Sequence, residues 1–211
     1  MIIAPVPPGS ILADTDTKLT AKTAAALKAL GYAGVIRYVG RLMPQSADDL
    51  DATELQAILE AGLGLMVVQH CPLSFTPSAA LGTAYGQVAV ADAQAAGYLP
   101  GGQIWIDFEN CLTAVGATAY LNAWCRVVIA GGYFPGLYGG ADSPLSGDQL
   151  YWDVIATRYW RAGSRDAPMI PYRGICMQQS LSSTAAGINI DRNVVMRDNF
   201  GGLPIWNIPG N

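Results

Sequence analysis

Apolar and polar residues occur in blocks along the chain, and these blocks predict strands that alternate with helices. Short runs rich in β-branched and aromatic residues, bounded by Gly or Pro, predict strands. Longer Ala- and Leu-rich stretches with apolar residues at helical spacing predict helices. The predicted strands cover residues 9–14, 33–40, 64–72, 103–109, 133–140, 153–160, 173–180 and 187–195. The predicted helices cover residues 19–31, 51–62, 77–97, 113–132 and 146–152.

Local signals support the predicted helix ends. Thr20 and Asp51 are predicted N-caps, because a side-chain oxygen there accepts a backbone N–H of the first turn. Gly31 is predicted to follow the last turn of its helix, where the left-handed conformation suits glycine. Gly82 and Gly86 lie inside a predicted helix, where each costs about 1 kcal/mol relative to Ala. They indicate either a late helix start or close packing at that point.

The order of elements predicts the fold class. A strand followed by a helix, repeated, is typical of parallel strands joined by crossover helices. About eight strands fit into the 211 residues, and the units after residue 132 are short. A compact (β/α)8 barrel and an open doubly wound sheet both satisfy this pattern. No G-x-G-x-x-G or P-loop signature follows a predicted strand, which removes the main positive evidence for a nucleotide-binding open sheet.

Polar residues stand at the carboxyl ends of strands whose bodies are apolar, and this placement favours the barrel. In a (β/α)8 barrel these ends converge on one mouth, where active sites are built. A single polar strand end is weak evidence, because loops are polar in any case. We therefore predict an α/β fold, a TIM-like (β/α)8 barrel formed by residues 1–211 as a single domain, with short or irregular last units. The polar strand ends are Asp14, Arg37, Tyr38, Gln69, His70, Asp107, Glu109, Tyr138, Arg158, Trp160, Gln178, Gln179 and Asp191.

The stretch GGQIWIDFENC, residues 101–111, carries two carboxylates at the end of a predicted buried strand. Residues two apart in a strand point the same way, so Asp107 and Glu109 are predicted to face the barrel axis together. Their Cα atoms would be about 6.5–7 Å apart, and like charges at that range raise one of the two pKa values. A protonated acid beside an ionised one is what a glycosidase uses. The alternative is a structural salt-bridge network held by Arg37 or Arg158.

Composition narrows the classes of function. Hydrophobic residues make up 51% of the chain and charged residues 13%, which allows a large core and disfavours disorder. The net charge of −4 argues against nucleic acid as a partner, because phosphate binding needs a basic face. No apolar run approaches the roughly 20 residues that span a bilayer, and no signal peptide is recognised. The protein is expected to stay in the cytoplasm or to be exported without a signal peptide.

The cysteines and the histidine do not indicate a metal site. Cys71, Cys111, Cys125 and Cys176 lack metal-site spacing and are expected to be reduced core residues. The one histidine, His70, weakens any Ser-His-Asp proposal and is expected to be structural. We therefore predict no metal and no cofactor.

Five segments that cover most of the chain occur in an order shared with a known family. They are ADTDTKLTAKTAAALKALGYAGVIRYVG (13–40), LDATELQAILEAGLGLMVVQ (50–69), LGTAYGQVAVADAQAAGYLPGGQIWIDFE (81–109), GGYFPGLYGG (131–140) and MQQSLSSTAAGINIDRN (177–193). This order resembles the bacterial glycoside-hydrolase-like family known as domain of unknown function 1906, which is related to the lysozymes of glycoside hydrolase family 25. The resemblance implies a (β/α)8-like barrel with an acidic mouth.

The resemblance also implies roles for four acids. Glu109 is the candidate general acid that protonates the glycosidic oxygen. Asp107, Asp14 and Asp191 would hold the ionised roles: activating water, stabilising oxocarbenium-like charge or orienting an N-acetyl group. Trp160 would be a stacking platform, with core packing as the alternative. The residues expected to bind the sugar are Arg37, Gln69, Tyr138, Trp160 and Gln178.

Two departures from the relatives stand out. The first motif reads ADTDTK and lacks their Ser shortly after the acid, so Asp16 competes with Asp14 for the first role. Their late W-Q-Y is MQQ at residues 177–179, which removes one aromatic ring from the cleft.

The sequence therefore predicts a hydrolase of peptidoglycan-type or related amino-sugar glycans, with a phage, prophage or toxin-like locus as one context. The alternatives are a catalytically silent carbohydrate-binding barrel and a structural or interaction barrel of a phage or secretion system. A glycan or peptidoglycan fragment is the expected partner in the first two cases. The oligomeric state stays open.

Overall fold

The computed structural model of the chain describes residues 1–41, 46–70 and 72–210, and within them it has ten strands and five helices. The strands are β1 (Ile2–Pro5), β2 (Ile11–Thr15), β3 (Gly34–Val39), β4 (Gly64–Gln69), β5 (Gln103–Phe108), β6 (Phe134–Gly139), β7 (Tyr159–Arg161), β8 (Met177–Ala185), β9 (Ile188–Val195) and β10 (Ile205–Ile208). The helices are α1 (Ala21–Ala29), α2 (Ala52–Glu60), α3 (Ala79–Ala95), α4 (Ala117–Ala130) and α5 (Gly147–Trp152).

Strands β2 to β9 close into an eight-stranded barrel. The strand order runs β4-β3-β2-β9-β8-β7-β6-β5, and the pairing of β4 with β5 completes the ring. Neighbouring strands from β2 to β8 are parallel, with helices crossing over between most of them. The predicted TIM-like α/β barrel is therefore confirmed.

Strand β9 is the exception to the parallel pattern. It runs antiparallel to both of its neighbours, β8 and β2. Only Ala186 and Gly187 separate β8 from β9, and both have positive φ angles, of 52° and 79°. A two-residue turn can join only antiparallel strands, so the implied parallel arrangement is wrong here. The short predicted strand 153–160 is also largely wrong, because β7 has just three residues, from Tyr159 to Arg161.

Strands β1 and β10 were not predicted, and together they cover the end of the barrel opposite the mouth. They pair with each other, and Asn207 of β10 pairs with Leu65 at the start of β4. The ring of Trp206 lies against Gly34 and Gly64 at the starts of β3 and β4. A Cβ atom at these glycines would be 2.8 Å and 2.3 Å from the ring, respectively. The ring of Trp206 therefore closes the end of the barrel opposite the mouth by packing on these two glycines.

The core has two layers separated by the barrel wall. The inner layer fills the barrel and includes Trp105, Ile36 and Met66. The outer layer lies between the barrel and its helices and includes Ile104 and Ile106. The alternation along β5 therefore directs Trp105 inward, toward the barrel axis, and its apolar neighbours outward.

The helix ends follow the local signals. The Thr20 side chain accepts the backbone N–H of Thr23, and the Asp51 side chain accepts that of Glu54, which confirms both N-caps. Gly31, just after α1, has a φ of 89°, which suits glycine.

Gly82 and Gly86 permit close contact between α3 and α4. A Cβ atom at Gly82 would lie 2.1 Å from the backbone oxygen of Tyr120, and one at Gly86 would lie 2.9 Å from Cβ of Val127. The first obstacle is backbone, which cannot rotate away. The close-packing interpretation of these two glycines is therefore correct.

Replacing Gly82 with alanine is expected to lower the free energy of unfolding by about 1–3 kcal/mol, although alanine has the higher helix propensity. The added methyl group must push α3 away from α4. Urea denaturation measures the change. Gln87→Ala, on an exposed position of the same helix, is the matched control and should stay within about 0.5 kcal/mol of the parent. Equal stability of the two variants would contradict the packing interpretation.

The cysteines within the described residues are core residues, as predicted. Cys111, Cys125 and Cys176 are free and buried, and burial raises the pKa of Cys125 to about 12. Cys71 lies outside the described residues. Among the helices of the described chain, none has both the length and the apolarity to cross a bilayer.

Candidate functional site

The four acids predicted from the sequence lie together at the mouth of the barrel. Asp14 of β2 and Asp191 of β9 are direct partners in the sheet register. Asp107 of β5 is the register partner of Tyr138 on β6, and Glu109 follows β5. Burial, followed by the charges of all four acids, raises the pKa of Tyr138. The hydroxyl of Tyr138 is therefore within electrostatic reach of the whole set.

These acids line two adjoining pockets. The first, which we call the Asp14 pocket, has a volume of about 310 Å³ and includes Asp107 and Asp191 in its wall. The second, the Glu109 pocket, has a volume of about 380 Å³ and includes Tyr138 and Asp191. Asp191 and Ser182 belong to both walls, so the two pockets meet at these residues and together form one cleft.

Asp14 is buried and hydrogen-bonded at the bottom of the Asp14 pocket. It is 3% exposed. Its Oδ2 atom accepts hydrogen bonds from Asn193 Nδ2 at 2.6 Å and from Gln179 Nε2 at 3.2 Å. Burial raises the pKa of Asp14 to about 7; the bond from Asn193 opposes this shift, and the charge of Asp191 adds to it. Asp14 can therefore exchange a proton near neutral pH.

Asp16 lies on the rim of the same pocket. It is exposed, and it lines the Asp14 pocket beside Asp14. Of the two acids that compete for the first role, Asp14 is the one that points into the barrel with fixed partners.

Glu109 has the environment expected of a protonated acid. Burial raises its pKa, and the charges of Asp142 and Asp191 raise it further. Its carboxyl group lies over Gly140, where a Cβ atom would be 2.1 Å from Oε1 of Glu109. The missing side chain at Gly140 therefore makes room for the carboxyl group of Glu109.

Replacing Gly140 with alanine is expected to displace the carboxyl group of Glu109 and to leave the fold intact. The obstacle is the end of a flexible side chain, so the free energy of unfolding should change by less than about 1.5 kcal/mol. In the catalytic role that is proposed for Glu109 below, such a displacement would cost about a hundredfold in activity. Gly139→Ala is the matched control, because its Cβ would meet only ordinary contacts, the first at 3.7 Å. A crystal structure and an activity assay of both variants check this, and an unmoved Glu109 would contradict it.

Arg37 and Gln69, expected to bind the sugar, do not reach the cleft. Arg37 is fully buried between the barrel wall and α2, where its guanidinium group pairs with Glu54 at 2.5 Å. Gln69 donates to the backbone oxygen of Tyr85 at 2.8 Å and accepts from the indole of Trp124 at 2.7 Å. Both side chains point outward from their strands, and we do not assign them to sugar binding.

The alternative of a salt-bridge network held by Arg37 or Arg158 also finds no support within the described chain. The carboxylate partner of Arg37 is Glu54, as described above. Arg158 donates hydrogen bonds to the backbone oxygen of Leu203 and to the backbone and hydroxyl oxygens of Thr157. Neither arginine forms an ion pair with a cleft acid in the described part of the chain.

Trp160 and Gln178 also depart from the expected roles. Trp160 is 1% exposed and lies inside the barrel, with its ring centroid 4.5 Å from that of Tyr138. It packs in the core and offers no surface on which a sugar could stack. The Gln178 amide donates to the backbone oxygen of Ala162 at 2.9 Å. Its neighbour Gln179 is the residue that enters the cleft.

Tyr138 does line the cleft, as expected, and its hydroxyl donates to Gln179 Oε1 at 2.9 Å. Tyr38 was found as a polar strand end but not as a site residue. Its ring stacks on His70 with centroids 4.3 Å apart, and both line the Asp14 pocket. Burial, and then Arg41, lowers the pKa of His70 to about 4. The 3.5 Å contact between His70 and Asp49 therefore joins a neutral ring to a carboxyl group at neutral pH.

The sequence reasoning missed Asn193, Gly140 and Asp142. Asn193 stands two residues after Asp191, on the same face of β9, and this spacing was a usable signal. Gly140 and Asp142 carried no such signal, because their importance depends on where the Glu109 carboxyl group lies. Within the described residues, no group of three or more His, Cys, Asp or Glu side chains could hold a metal ion.

A closed eight-stranded α/β barrel with carboxylates gathered at its mouth defines a glycoside hydrolase-like barrel of the kind found in family 25 lysozymes. Residues 25–195 match the family described as Rv2525c-like, glycoside hydrolase-like domain. The chain belongs to this family, and the resemblance derived from the sequence is confirmed. A search of curated proteins by sequence gave no match.

Solved structures support the same fold. The Tat-secreted protein Rv2525c of Mycobacterium tuberculosis is 18% identical over 91% of this chain and 98% of that one, with a TM-score of 0.71. GHIP, a glycosyl hydrolase 25 of Streptococcus pneumoniae, is 11% identical over 88% and 86%, with a TM-score of 0.59. The modular Cpl-1 endolysin, solved as a mutant in complex with a peptidoglycan analogue, is 14% identical over 94% of this chain and 64% of that one, with a TM-score of 0.62.

Proposed function

We propose that this protein is a glycoside hydrolase that cleaves a bacterial cell-wall glycan of the peptidoglycan type, or a related amino-sugar polymer. The observation that carries the proposal is the gathering of Asp14, Asp107, Glu109 and Asp191 around one cleft. Two of these acids, Asp14 and Glu109, have raised pKa values, and perturbed carboxyl groups in a cleft are typical of acid–base catalysis. We also propose that residues 1–211 form a single domain with this function.

In this proposal Glu109 is the general acid. A carboxyl group that keeps its proton near neutral pH can deliver it to the glycosidic oxygen as the bond breaks. Burial and two neighbouring acids raise the pKa of Glu109, which is the direction that this role needs. The proton passes to the leaving sugar, and the departing bond leaves positive charge on the other ring.

The remaining acids act on that positive charge and on water. Asp107 lines the Asp14 pocket and Asp191 lines both pockets, and negative charge on these two residues would stabilise an oxocarbenium-like transition state in the cleft. Asp14, whose pKa is about 7, is suited to take a proton from water or to hold an N-acetyl group by a hydrogen bond. Tyr38 and Tyr138 supply hydroxyl groups and apolar ring surface to the walls.

The identity of the glycan is supported by the relatives. The Cpl-1 endolysin is described in complex with a peptidoglycan analogue. Its fold matches that of this chain over 94% of this chain and 64% of the endolysin. A cell-wall substrate implies that the protein reaches the cell wall, and Rv2525c is described as Tat-secreted. We therefore propose peptidoglycan as the partner and export as the route to it.

The test is incubation of the purified protein with insoluble peptidoglycan, followed by assays of bound protein and of released reducing ends. We expect both binding and a steady release of reducing ends, because the cleft is proposed to cleave what it binds. Binding without release would identify a carbohydrate-binding barrel, and absence of both would indicate an interaction barrel. Either of these two results would contradict the proposed function.

A further inference from the structure

We propose that Trp160 and Asn193 are positioning residues for Asp14. They hold one carboxyl oxygen of Asp14, Oδ2, as a hydrogen-bond acceptor, and so leave Oδ1 to carry the proton and to meet the ligand. The catalytic consequence of this arrangement rests on the proposed function, whereas the arrangement itself can be tested in the protein without a substrate.

The orientation of the Asn193 amide is set by the indole of Trp160. An amide side chain has an accepting oxygen at one end and a donating NH₂ group at the other, and either end can face a given neighbour. The Trp160 indole N–H lies 2.8 Å from Oδ1 of Asn193, and an indole nitrogen can only donate. The oxygen of Asn193 must therefore face Trp160, and its NH₂ group must face Asp14.

This orientation decides which oxygen of Asp14 carries the proton. Nδ2 of Asn193 donates to Oδ2 of Asp14 at 2.6 Å, and Nε2 of Gln179 donates to the same atom at 3.2 Å. A proton on Oδ2 would occupy one of the two lone-pair positions that accept these bonds and would displace at least one of the two donors. Oδ1 accepts no hydrogen bond from the described residues and is not among their buried unpaired atoms, so it faces the Asp14 pocket. The proton of Asp14 therefore resides on Oδ1.

A second pair of hydrogen bonds, from Tyr138 to Gln179 and from Gln179 to Asp14, supports the same arrangement but does not by itself fix the orientation of the amide. The hydroxyl of Tyr138 donates to Oε1 of Gln179 at 2.9 Å, which turns the NH₂ group of Gln179 toward Asp14. A hydroxyl can also accept a hydrogen bond, so Tyr138 would tolerate a reversed amide at Gln179. The indole of Trp160 would not tolerate a reversed amide at Asn193. The hydrogen bond between Trp160 and Asn193 therefore determines which oxygen of Asp14 accepts.

The other titratable groups around Asp14 act on the same proton. Asp191 of β9 and Asp16, just after β2, raise the pKa of Asp14 through their charges. Tyr38 of β3 and Tyr138 of β6 are also within electrostatic reach of Asp14. The hydrogen bond from Asn193 is the largest influence in the opposite direction. Loss of that bond should therefore raise the pKa of Asp14.

The test compares two tryptophan variants by a ¹³C NMR titration of the Asp14 carboxyl group. Trp160→Phe keeps an aromatic ring in the core and removes the indole N–H that orients Asn193. Trp105→Phe is the matched control: Trp105 is a second buried tryptophan in the barrel interior, packed against Trp160, and its indole nitrogen has no hydrogen-bond partner among the described residues. Trp160→Phe should raise the pKa of Asp14 by about one unit, and Trp105→Phe should leave it unchanged.

A second readout uses the unmodified protein and does not depend on the folding of a variant. The ¹⁵N–¹H indole resonance of Trp160 should shift with pH at the same midpoint as the Asp14 carboxyl group, because Asn193 joins the two. The indole resonance of Trp105 should not follow that midpoint. A Trp160 resonance that ignores the titration, or equal Asp14 pKa values in the two variants, would overturn the proposal. Neither result depends on whether the protein cleaves a glycan.

Discussion

Replacing Glu109 with glutamine is expected to lower the rate of glycan cleavage by about 10²–10⁴-fold. Glutamine has nearly the same shape as glutamate, and it fits the space over Gly140 that the carboxyl group fills now. It has no acidic proton to give to the glycosidic oxygen. The leaving sugar must then depart without protonation, and this step becomes limiting. The measurement is the rate of reducing-end release from peptidoglycan by the parent and the variant at equal concentrations.

The variant should still fold and bind the glycan, since one neutral polar group replaces another when Glu109 is protonated. Glu60→Gln serves as the control, because Glu60 is an exposed residue of α2 that lies outside the cleft. It should retain the full rate. Undiminished cleavage by Glu109→Gln would contradict the role of Glu109 as general acid and leave the fold assignment untouched.

Replacing Asp14 with asparagine is expected to stabilise the protein at pH 8. Burial raises the pKa of Asp14 from 3.8 to about 7, so the folded state resists ionisation more than the unfolded state does. The favourable contribution of the protonated group is complete below pH 3.8 and is lost progressively as the pH rises to about 7. At about 1.4 kcal/mol per pKa unit, the full loss approaches about 4 kcal/mol. Asparagine stays neutral at every pH, and its amide oxygen can accept the bonds from Asn193 and Gln179.

Urea denaturation of the parent and of Asp14→Asn at pH 5 and pH 8 measures this effect. The variant should be more stable at pH 8 by about 2–4 kcal/mol, and the difference should be smaller at pH 5. The pKa of His70 is lowered to about 4, so His70 also contributes to the pH dependence, but it does so equally in both proteins. Asp166→Asn, at an exposed position outside the cleft, should match the parent within about 0.5 kcal/mol. A variant less stable than the parent at pH 8 would contradict the raised pKa of the buried Asp14.

The barrel and its acidic mouth could be predicted because two periodic signals agreed. The alternation of strands and helices gave the architecture, and acids at the ends of apolar strands gave Asp14, Asp107 and Glu109. The acids Asp107 and Glu109 indicated which face of β5 points inward, and the spacing of two residues then assigned Trp105 to the barrel interior, where the structure has it. These signals are local, and each depends only on which residue types follow one another.

Arg37 and Gln69 could not be placed from the sequence, because both faces of a barrel strand are buried. An apolar residue on the inner face looks the same as one on the outer face, so alternation does not say which set points inward. The same ambiguity applies to the neighbours Gln178 and Gln179, because the sequence does not tell which of the two points into the barrel. Strand β8 begins at Met177 rather than at residue 173, and the inner position falls on Gln179.

The antiparallel strand β9 and the core position of Trp160 depend on contacts between distant parts of the chain. The turn at Ala186 and Gly187 was not recognised as a hairpin, since the pattern of earlier units favoured a parallel strand. Trp160 stands at a strand end, as a mouth residue would, but β7 is only three residues long and its tryptophan remains within the barrel. Its indole meets Asn193, 33 positions away in the sequence, and no local pattern reports such a pair.

Mass spectrometry of purified peptidoglycan digested in water labelled with heavy oxygen tests the proposed chemistry most directly. We expect soluble fragments whose new reducing-end sugar carries one labelled oxygen, because water replaces the broken glycosidic bond. The same fragments should be at least about a hundredfold less abundant after an equal incubation with Glu109→Gln. Glycan chains that stay intact, or fragments cut only at amide bonds of the peptide, would contradict the assignment of this cleft as a glycosidase site.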